Sequence, residues 1–537
     1  MSQAPRAAAV YTLLILLAAG VGYYAAHKIA IAKSLNQPGQ QSTSNLTLPP
    51  SAKNRLPARL AHPGIKPLNS EAEPAFAIKN EKMAQFQNED GYRKFLASMA
   101  SRGLGLLDQS DRMLAVRFSH GEDFDPGELD DAELGYNYLV SIPELPDVQA
   151  QPGAVGFGQN ALAWLGVSED NAHWGKGITV AVIDSGVSQH IYLDDKHGKV
   201  SQITLTELGE GDEQLGHGTA VASIISGDHP LTPGIAPASD ILSIRVTDAE
   251  GISNSFTLAK GILAAADAGA KIINISMGSQ GNSSLVDDAI QYARQQGAVI
   301  VASSGNAGLD TLAYPAAYQE VIAVGAVEAQ GEHLDFSNTG ESLGIMAPGF
   351  QVNAAWGEEQ FTSLSGTSAS APFVSGAIAA TLSQQPQLTA QQAADLILRL
   401  SNDAGYPGRD AIYGNGILAI DRVMEYGTPG IYDAAVTSQL LIPASSSNSL
   451  PHILVSIQNQ GTETLINSPV QITTPAGTQT INISSLAPGQ IHSLPVPINL
   501  PSNGAPLPVS SSIQITEADQ QPDNNSRSDR FEQPAGQ

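Results

Sequence analysis

No cysteine occurs among the 537 residues. Disulfide staples and thiolate zinc sites are therefore excluded, while the redox compartment stays open, because the absence suits either side of a membrane. Positive charge is scarce: 26 Lys and Arg face 52 Asp and Glu, a formal net charge of −26. That balance argues against nucleic acid held through phosphate contacts and favours solubility by self-repulsion. Charged residues make up only 15% of the chain against 42% hydrophobic, a globular profile rather than a disordered one. No acidic cluster has a convincing calcium-ligand spacing, so no cofactor is assigned and a structural calcium ion lacks a supporting motif. A chain of this length is expected to form two or three domains.

The first 33 residues read as a signal peptide or signal anchor. Ala7–Ala26 carries no charge, and about twenty residues span a bilayer at roughly 1.5 Å each. Ala30-Ile31-Ala32 has the small-x-small form of a signal peptidase site, whereas His27 and Lys28 suit an uncleaved anchor. Arg6 precedes the segment and Lys28 and Lys33 follow it, so positive charge does not set the orientation. The export-type apolar region favours export, with the membrane as a partner through this segment. Residues 34–87 read as a flexible linker, richest in Pro, Ser, Asn and Gln over Ser34–Pro74. A small α/β unit follows over 88–146, with a helix within Gly91–Gly103 and strands at Met113–Ser119 and Tyr136–Ile142. A Pro/Gly/Gln-rich linker over 147–157 separates it from the next domain.

Residues 158–428 alternate apolar strands with helix-like stretches, which predicts an α/β fold with a doubly wound parallel sheet. Strands are expected at Gly177–Val187, Asp240–Val246, Lys271–Ser276, Ala298–Asn306 and Val321–Val327. Helices are expected at Ser255–Ala268 and Leu285–Gln296. In such sheets the chemistry sits at the carboxyl ends of strands, where Asp184 and Asn306 fall. His217 stands between two glycines at the head of a helix candidate, and Ser368 where, within the stretch Ser363–Ala380, a tight loop rich in Gly, Ser and Thr enters a helix marked by Phe373, Val374, Ala377 and Ile378. Pro372 fits that helix's first turn. Taken singly, each residue reads equally as a cap, a turn or a structural group. Together they supply a nucleophile (Ser368), a base (His217), a group that orients the base (Asp184) and oxyanion donors (Asn306 and the Ser368 N–H), the set that acyl transfer requires. Activity is then expected to fall on the acid side as the imidazole protonates.

DSGV with Asp184, GHGTAVAS with His217, ASSGN with Asn306 and GTSASAP with Ser368 resemble the four signature blocks of the subtilisin-like serine peptidases (subtilases, peptidase family S8), in the subtilisin order Asp, His, Ser. The resemblance spans about Gly158–Tyr426 and implies an endopeptidase acting through an acyl-enzyme. Ala369 and Ser370 replace the usual Met-Ala after the nucleophile. Gly227–Gly234 is too short for the calcium-binding insertion that many secreted members carry. The resemblance further implies a groove that takes peptide as an added strand, edged by Glu250, Gly251 and Ile252 on one side and Ser276, Met277 and Gly278 on the other. Ala302, Ser303, Ser304 and Gly305 would wall the first specificity pocket, with Ala313 near its base. None of these supplies an acid to the pocket, so apolar or uncharged side chains are expected before the scissile bond. The 88–146 unit then resembles an inhibitory pro-domain, with activation by cleavage in Asp147–Gly158.

Residues 429–537 shift to short alternating runs, Ile453–Ile457, Val470–Thr473, Thr480–Ile483 and Ser512–Ile515, which predict a β-sandwich. ILVSIQNQG at Ile453–Gly461, LAPG at Leu486–Gly489 and PDNN at Pro522–Asn525 resemble CARDB-type Ig-like modules, which would bind protein or envelope partners or serve as a spacer. The competing reading is a catalytically silent subtilase-like envelope binding or adhesion protein.

Overall fold

A computed structural model describes residues 74, 76–122, 124, 132–167, 171–188, 199–206, 216–443, 450–500 and 505–531. The apolar segment Ala7–Ala26 lies outside them. Among the described residues no helix is long and apolar enough to cross a membrane.

The first unit begins earlier than the sequence suggests. Ala77–Phe86 (β1), expected as linker, is an inner strand of a sheet with Gly105–Ser110 (β2), Ala115–Ser119 (β3) and Ala132–Ser141 (β4). β1 pairs antiparallel with both β3 and β4. Its alternation is muddied by Lys79, Asn80 and Lys82, and only pairing on both sides makes it a strand. The helix Glu89–Ser98, capped by Asn88, places Tyr92 and Phe95 on a small core with Phe86, Val116 and Phe118.

The middle domain is built on seven strands: Thr179–Asp184 (β5), Val200–Thr204 (β6), Asp240–Arg245 (β7), Ile272–Ile275 (β9), Val299–Ser303 (β10), Val321–Val327 (β11) and Leu343–Pro348 (β12), with the short Ile252–Asn254 (β8) outside this sheet. Their order is β12-β11-β10-β9-β5-β7-β6, and every pair is parallel. β5 and β10 are buried along their length apart from Thr179, as continuous apolar runs demand when both faces are covered. Helices Gly216–Ser226 and Thr367–Gln384 pack on each other, as do Ser255–Asp267 and Ser284–Gln295. A hairpin, Val352–Trp356 (β13) with Gln360–Leu364 (β14), leads into the Ser368 helix.

β4 joins the two units by pairing antiparallel with β8. Behind it, the fully buried Asn137 meets the start of the helix Ser255–Asp267, whose own cap is Asn254, accepting from Ser255 Oγ at 3.0 Å and Phe256 N at 3.3 Å. Ion pairs Arg112–Asp267 and Lys260–Asp108, both 2.9 Å, flank the contact. The expected linker over 147–157 is docked rather than loose: Val155 N donates to Glu328 and the buried Phe157 donates to Phe350 O.

Two further sheets share one core: Ala434–Ile442 (β15), His452–Asn459 (β16) and Ile491–Pro497 (β19) face Leu465–Thr474 (β17), Gly477–Leu486 (β18), Leu507–Ile513 (β20) and Ser526–Phe531 (β21). This module meets the middle domain through a buried polar seam. Arg422, 6% exposed, spends its donors on the carbonyls of Gln460 and Ser401 and on Asn402 Oδ1. Asp403 accepts from Gly408 N and Thr437 Oγ1, and Asp433 from Asn524 Nδ2. Neither carboxyl is ion-paired at contact distance among the described residues, and burial pushes both up to about 6. Folded values above the ordinary carboxyl range mean that stability is full below that range and is lost as pH rises through about 6, about 3 kcal/mol for each group. In a Ser368→Ala background, unfolding should show the seam weakening between about pH 4 and pH 7, and Asp433→Asn should flatten that dependence. An unchanged dependence in the variant would discount the seam as its source.

Candidate active site

Asp184 ends β5, fully buried. A buried carboxylate is costly unless its oxygens are satisfied, and here Oδ1 accepts from Ser185 N at 2.7 Å. The imidazole of His217 supplies the other partner. Its Nδ1 lies 2.9 Å from Oδ1 and 3.0 Å from Oδ2, and an acceptor-only carboxylate places the proton on Nδ1. The approach depends on Gly218: a Cβ there would lie 2.3 Å from Gly186 O and 3.2 Å from Asp184 Oδ1. His217 Nε2 is buried without a hydrogen-bond partner among the described residues.

Gly366 delivers Ser368. Its φ of 128° is open only to glycine, and an added Cβ would lie 2.8 Å from Asn306 Nδ2. The helix then begins at Thr367, so Pro372 sits in the second turn rather than the first. Proline there removes the N–H that would bond the carbonyl of Ser368 four residues back. Ser276 takes that carbonyl: its Oγ donates to Ser368 O at 3.2 Å, while Ser368 Oγ donates to Ser276 O at 3.1 Å. A buried chain stands behind the pair. Ser375 Oγ donates to Asn274 Oδ1 at 2.8 Å, and Asn274 Nδ2 donates to Ser276 Oγ at 3.0 Å. With its acceptor role filled by Asn274, the hydroxyl of Ser276 turns its proton to Ser368.

Asn306 follows β10 with its amide oriented by Thr367, whose N–H and Oγ1 both donate to Oδ1, at 2.9 and 2.8 Å. The Nδ2 group therefore faces the cleft, where it reaches the carbonyl of Glu144 at 3.5 Å. The helices bearing His217 and Ser368 pack together, so all four residues lie along the carboxyl edge of one sheet. Ser368 and His217 are not hydrogen-bonded to each other.

The chain itself lies against the residues expected to edge the groove. Ser141 exchanges backbone bonds with Gly278, both 3.0 Å, and Ile142 N donates to Gly251 O at 3.0 Å; Ser141 also stands opposite Ile252. Gly278, Gly251 and Ile252 thus meet this segment, whereas Ser276 is fully buried and bonded to Ser368. Ala313 N donates to Ser304 O, and its methyl lies 3.3 Å from where a Cβ would stand on Gly278 or Gly305, which gathers Ser304, Gly305, Gly278 and Ala313. Three further expected positions differ. Met277 is fully buried and its side chain belongs to the core, as does Ala302 within β10. Glu250 is exposed in a turn where its N–H donates to Asp248. Ser303 ends β10, buried. Sequence reasoning missed Thr367, Asn274 and Ser375. Only the GTS triplet hinted at the first, and a serine in an apolar helix face gives no sign of the last. Among the described residues no group of three or more His, Cys, Asp or Glu is placed to hold a metal ion.

The fold is thus an α/β one whose parallel sheet carries Asp184, His217, Asn306 and Ser368 along one edge, the groups that acyl transfer requires. Comparisons specify it. Residues 175–416 match the model of the Subtilase family. A thermostable alkaline protease of Halalkalibacterium halodurans is 33% identical over 304 residues, covering 55% of this chain and 82% of the relative. Subtilisin Savinase of Lederbergia lenta is 32% identical, covering 45% of this chain and 89% of the relative. The crystal structure of fervidolysin from Fervidobacterium pennivorans, a keratinolytic enzyme related to subtilisin, shares the fold with TM-score 0.56 at 18% identity, covering 86% of this chain and 77% of its own. The chain belongs to the subtilase family and is a serine-type endopeptidase.

Substituting Gly366→Ala should cost on the order of 1–3 kcal/mol in unfolding free energy from the disfavoured backbone alone. It should also depress peptidase activity by pushing Asn306 aside. Full activity in a folded variant would separate Gly366 from the placing of Asn306.

Proposed function

We propose that Ser368 is the nucleophile, His217 its general base, Asp184 the group that orients and stabilises the imidazole, and Asn306 with the Ser368 N–H the oxyanion site. The observation that carries this reading is the buried Asp184–His217 bond, which commits Nδ1 and leaves Nε2 unspent beside the serine-bearing helix. In the reaction Ser368 Oγ forms an ester with the substrate carbonyl carbon as the C–N bond breaks. His217 carries the serine proton to the leaving nitrogen. Water then hydrolyses the ester, restoring the serine and releasing a carboxylate. Gly305, Gly278 and the Ala313 methyl suggest a narrow first pocket, which suits small apolar or uncharged side chains.

The protein is made as a zymogen in this reading. The unit ending at β4 fills the groove as an extra strand, and its docking by Asn137 and two ion pairs would hold it there as an inhibitor. The carbonyl next to Asn306 belongs to Glu144, so the first cut is proposed at Glu144–Leu145, slow because its acid suits this pocket poorly, ahead of trimming in Asp147–Gly158. The apolar segment Ala7–Ala26 supports export, and release from any membrane tether would follow the cut. The C-terminal sandwich, with its CARDB-like runs, is proposed to bind protein or envelope partners.

A fluorophosphonate should label the active enzyme and not Ser368→Ala; labelling that survives this change would contradict Ser368 as the nucleophile, and no labelling of the unaltered enzyme would favour the silent binding protein instead. Loss of the nucleophile should lower kcat by about a millionfold, the size of that loss in subtilisin itself. Asn306→Ala should cost about 10²–10³, again a figure from subtilisin. Equal losses in the two variants would contradict these roles. N-terminal sequencing of active enzyme should find a start between Leu145 and Gly158, and a start upstream of Ala75 would reject the zymogen.

A further inference from the structure

The strand that leaves β4 is out of step with the catalytic groups. Ser141 and Gly278 exchange both backbone bonds, which makes them a bonded pair of an antiparallel ladder. The next bonded pair in such a ladder lies two residues on along one strand and two back along the other. That pair is Pro143 and Ser276. Proline has no N–H to give, so the strand offers nothing to the carbonyl of Ser276. Ser368 Oγ occupies that carbonyl at 3.1 Å. His217 Nε2, buried, has no hydrogen-bond partner among the described residues. Asn306 Nδ2 meanwhile meets the carbonyl of Glu144, one residue beyond the position that the ladder sets opposite Ser276.

We propose that Pro143 is a latch: by withholding one N–H from Ser276, it leaves the nucleophile bonded to that carbonyl and away from His217, so the intact chain cuts itself slowly. This rests on the self-processing reading above. A residue with an N–H at 143 would compete for the Ser276 carbonyl, weakening its bond to the Ser368 hydroxyl so that the hydroxyl turns to Nε2 more often. Proline is also tolerated at this position at little cost, because it falls where the strand leaves β8 and no other backbone acceptor waits for its nitrogen. The covalent step is unchanged by the latch, which acts only on how often the hydroxyl and the imidazole meet before attack.

The test follows the full chain after refolding, with intact-mass measurement of the cut over time. Pro143→Ala should process about tenfold faster than the unaltered chain, the scale of one hydrogen bond's worth of orientation. Gln109→Ala, exposed on β2 of the same unit and away from the cut, keeps the proline and should not accelerate. Pro143→Ser supplies the same N–H on another side chain and decides the matter if the alanine variant misfolds, folding being checked by melting in a Ser368→Ala background. Should Ser368→Ala lose its N-terminal unit at the unaltered rate, the self-processing reading fails and the latch falls with it. Should Ser368→Ala stay intact while folded Pro143→Ala and Pro143→Ser are cut no faster than the unaltered chain, the latch alone is overturned.

Discussion

The buried bond between the Asp184 carboxylate and His217 Nδ1 is the contact on which the site's arrangement turns. A charge taken wholly out of water has to be met by donors, and the donors come from Ser185 and from a residue 33 positions away at the head of another helix. Gly218 lets that helix approach, and β5 holds the carboxylate at the sheet edge because its neighbours on both sides are parallel strands locked in register. Once Nδ1 is committed, the imidazole has one remaining nitrogen, and it is buried without a hydrogen-bond partner among the described residues.

The serine side follows a similar logic of allocation. Pro372 takes away a helix hydrogen bond, Ser276 replaces it, and Asn274 with Ser375 fixes which way the Ser276 hydroxyl points. Thr367 performs the same service for Asn306. Each of these atoms is therefore held by a hydrogen bond from a neighbour that is itself held in place, which keeps the geometry of the site. The N-terminal unit exploits this economy of donors. In the proposed zymogen it borrows the groove's own ladder, and a single missing N–H would change where the Ser368 proton goes.

At the far side of the domain the seam with the β-sandwich has a different character. It buries two carboxyls and one guanidinium without joining them in direct ion pairs, and satisfies them with carbonyls, amides and a hydroxyl. Such a seam fixes orientation well but couples the two domains to pH, because the charged carboxyls are the disfavoured forms.

Much of this was legible in the amino-acid order. The apolar runs before Asp184 and Asn306 announced buried strands, and the small residues around His217 and Ser368 announced tight helix entries. The four blocks together pointed to acyl transfer and to the subtilases. β1 was not legible, since lysines interrupt its alternation and it is a strand only because β3 and β4 flank it. The second-turn position of Pro372 was hidden because helix starts depend on caps, and here the cap is a glycine with no side chain. Sequence alone settled which chemical groups exist and in what order they come. Tertiary structure settled which donor meets which acceptor: Ser368 with Ser276, Thr367 with Asn306, Pro143 opposite Ser276. The reason is physical. A hydrogen bond depends on tenths of an ångström between atoms whose residues can lie far apart along the chain, and strand register, which no local pattern encodes, sets that distance.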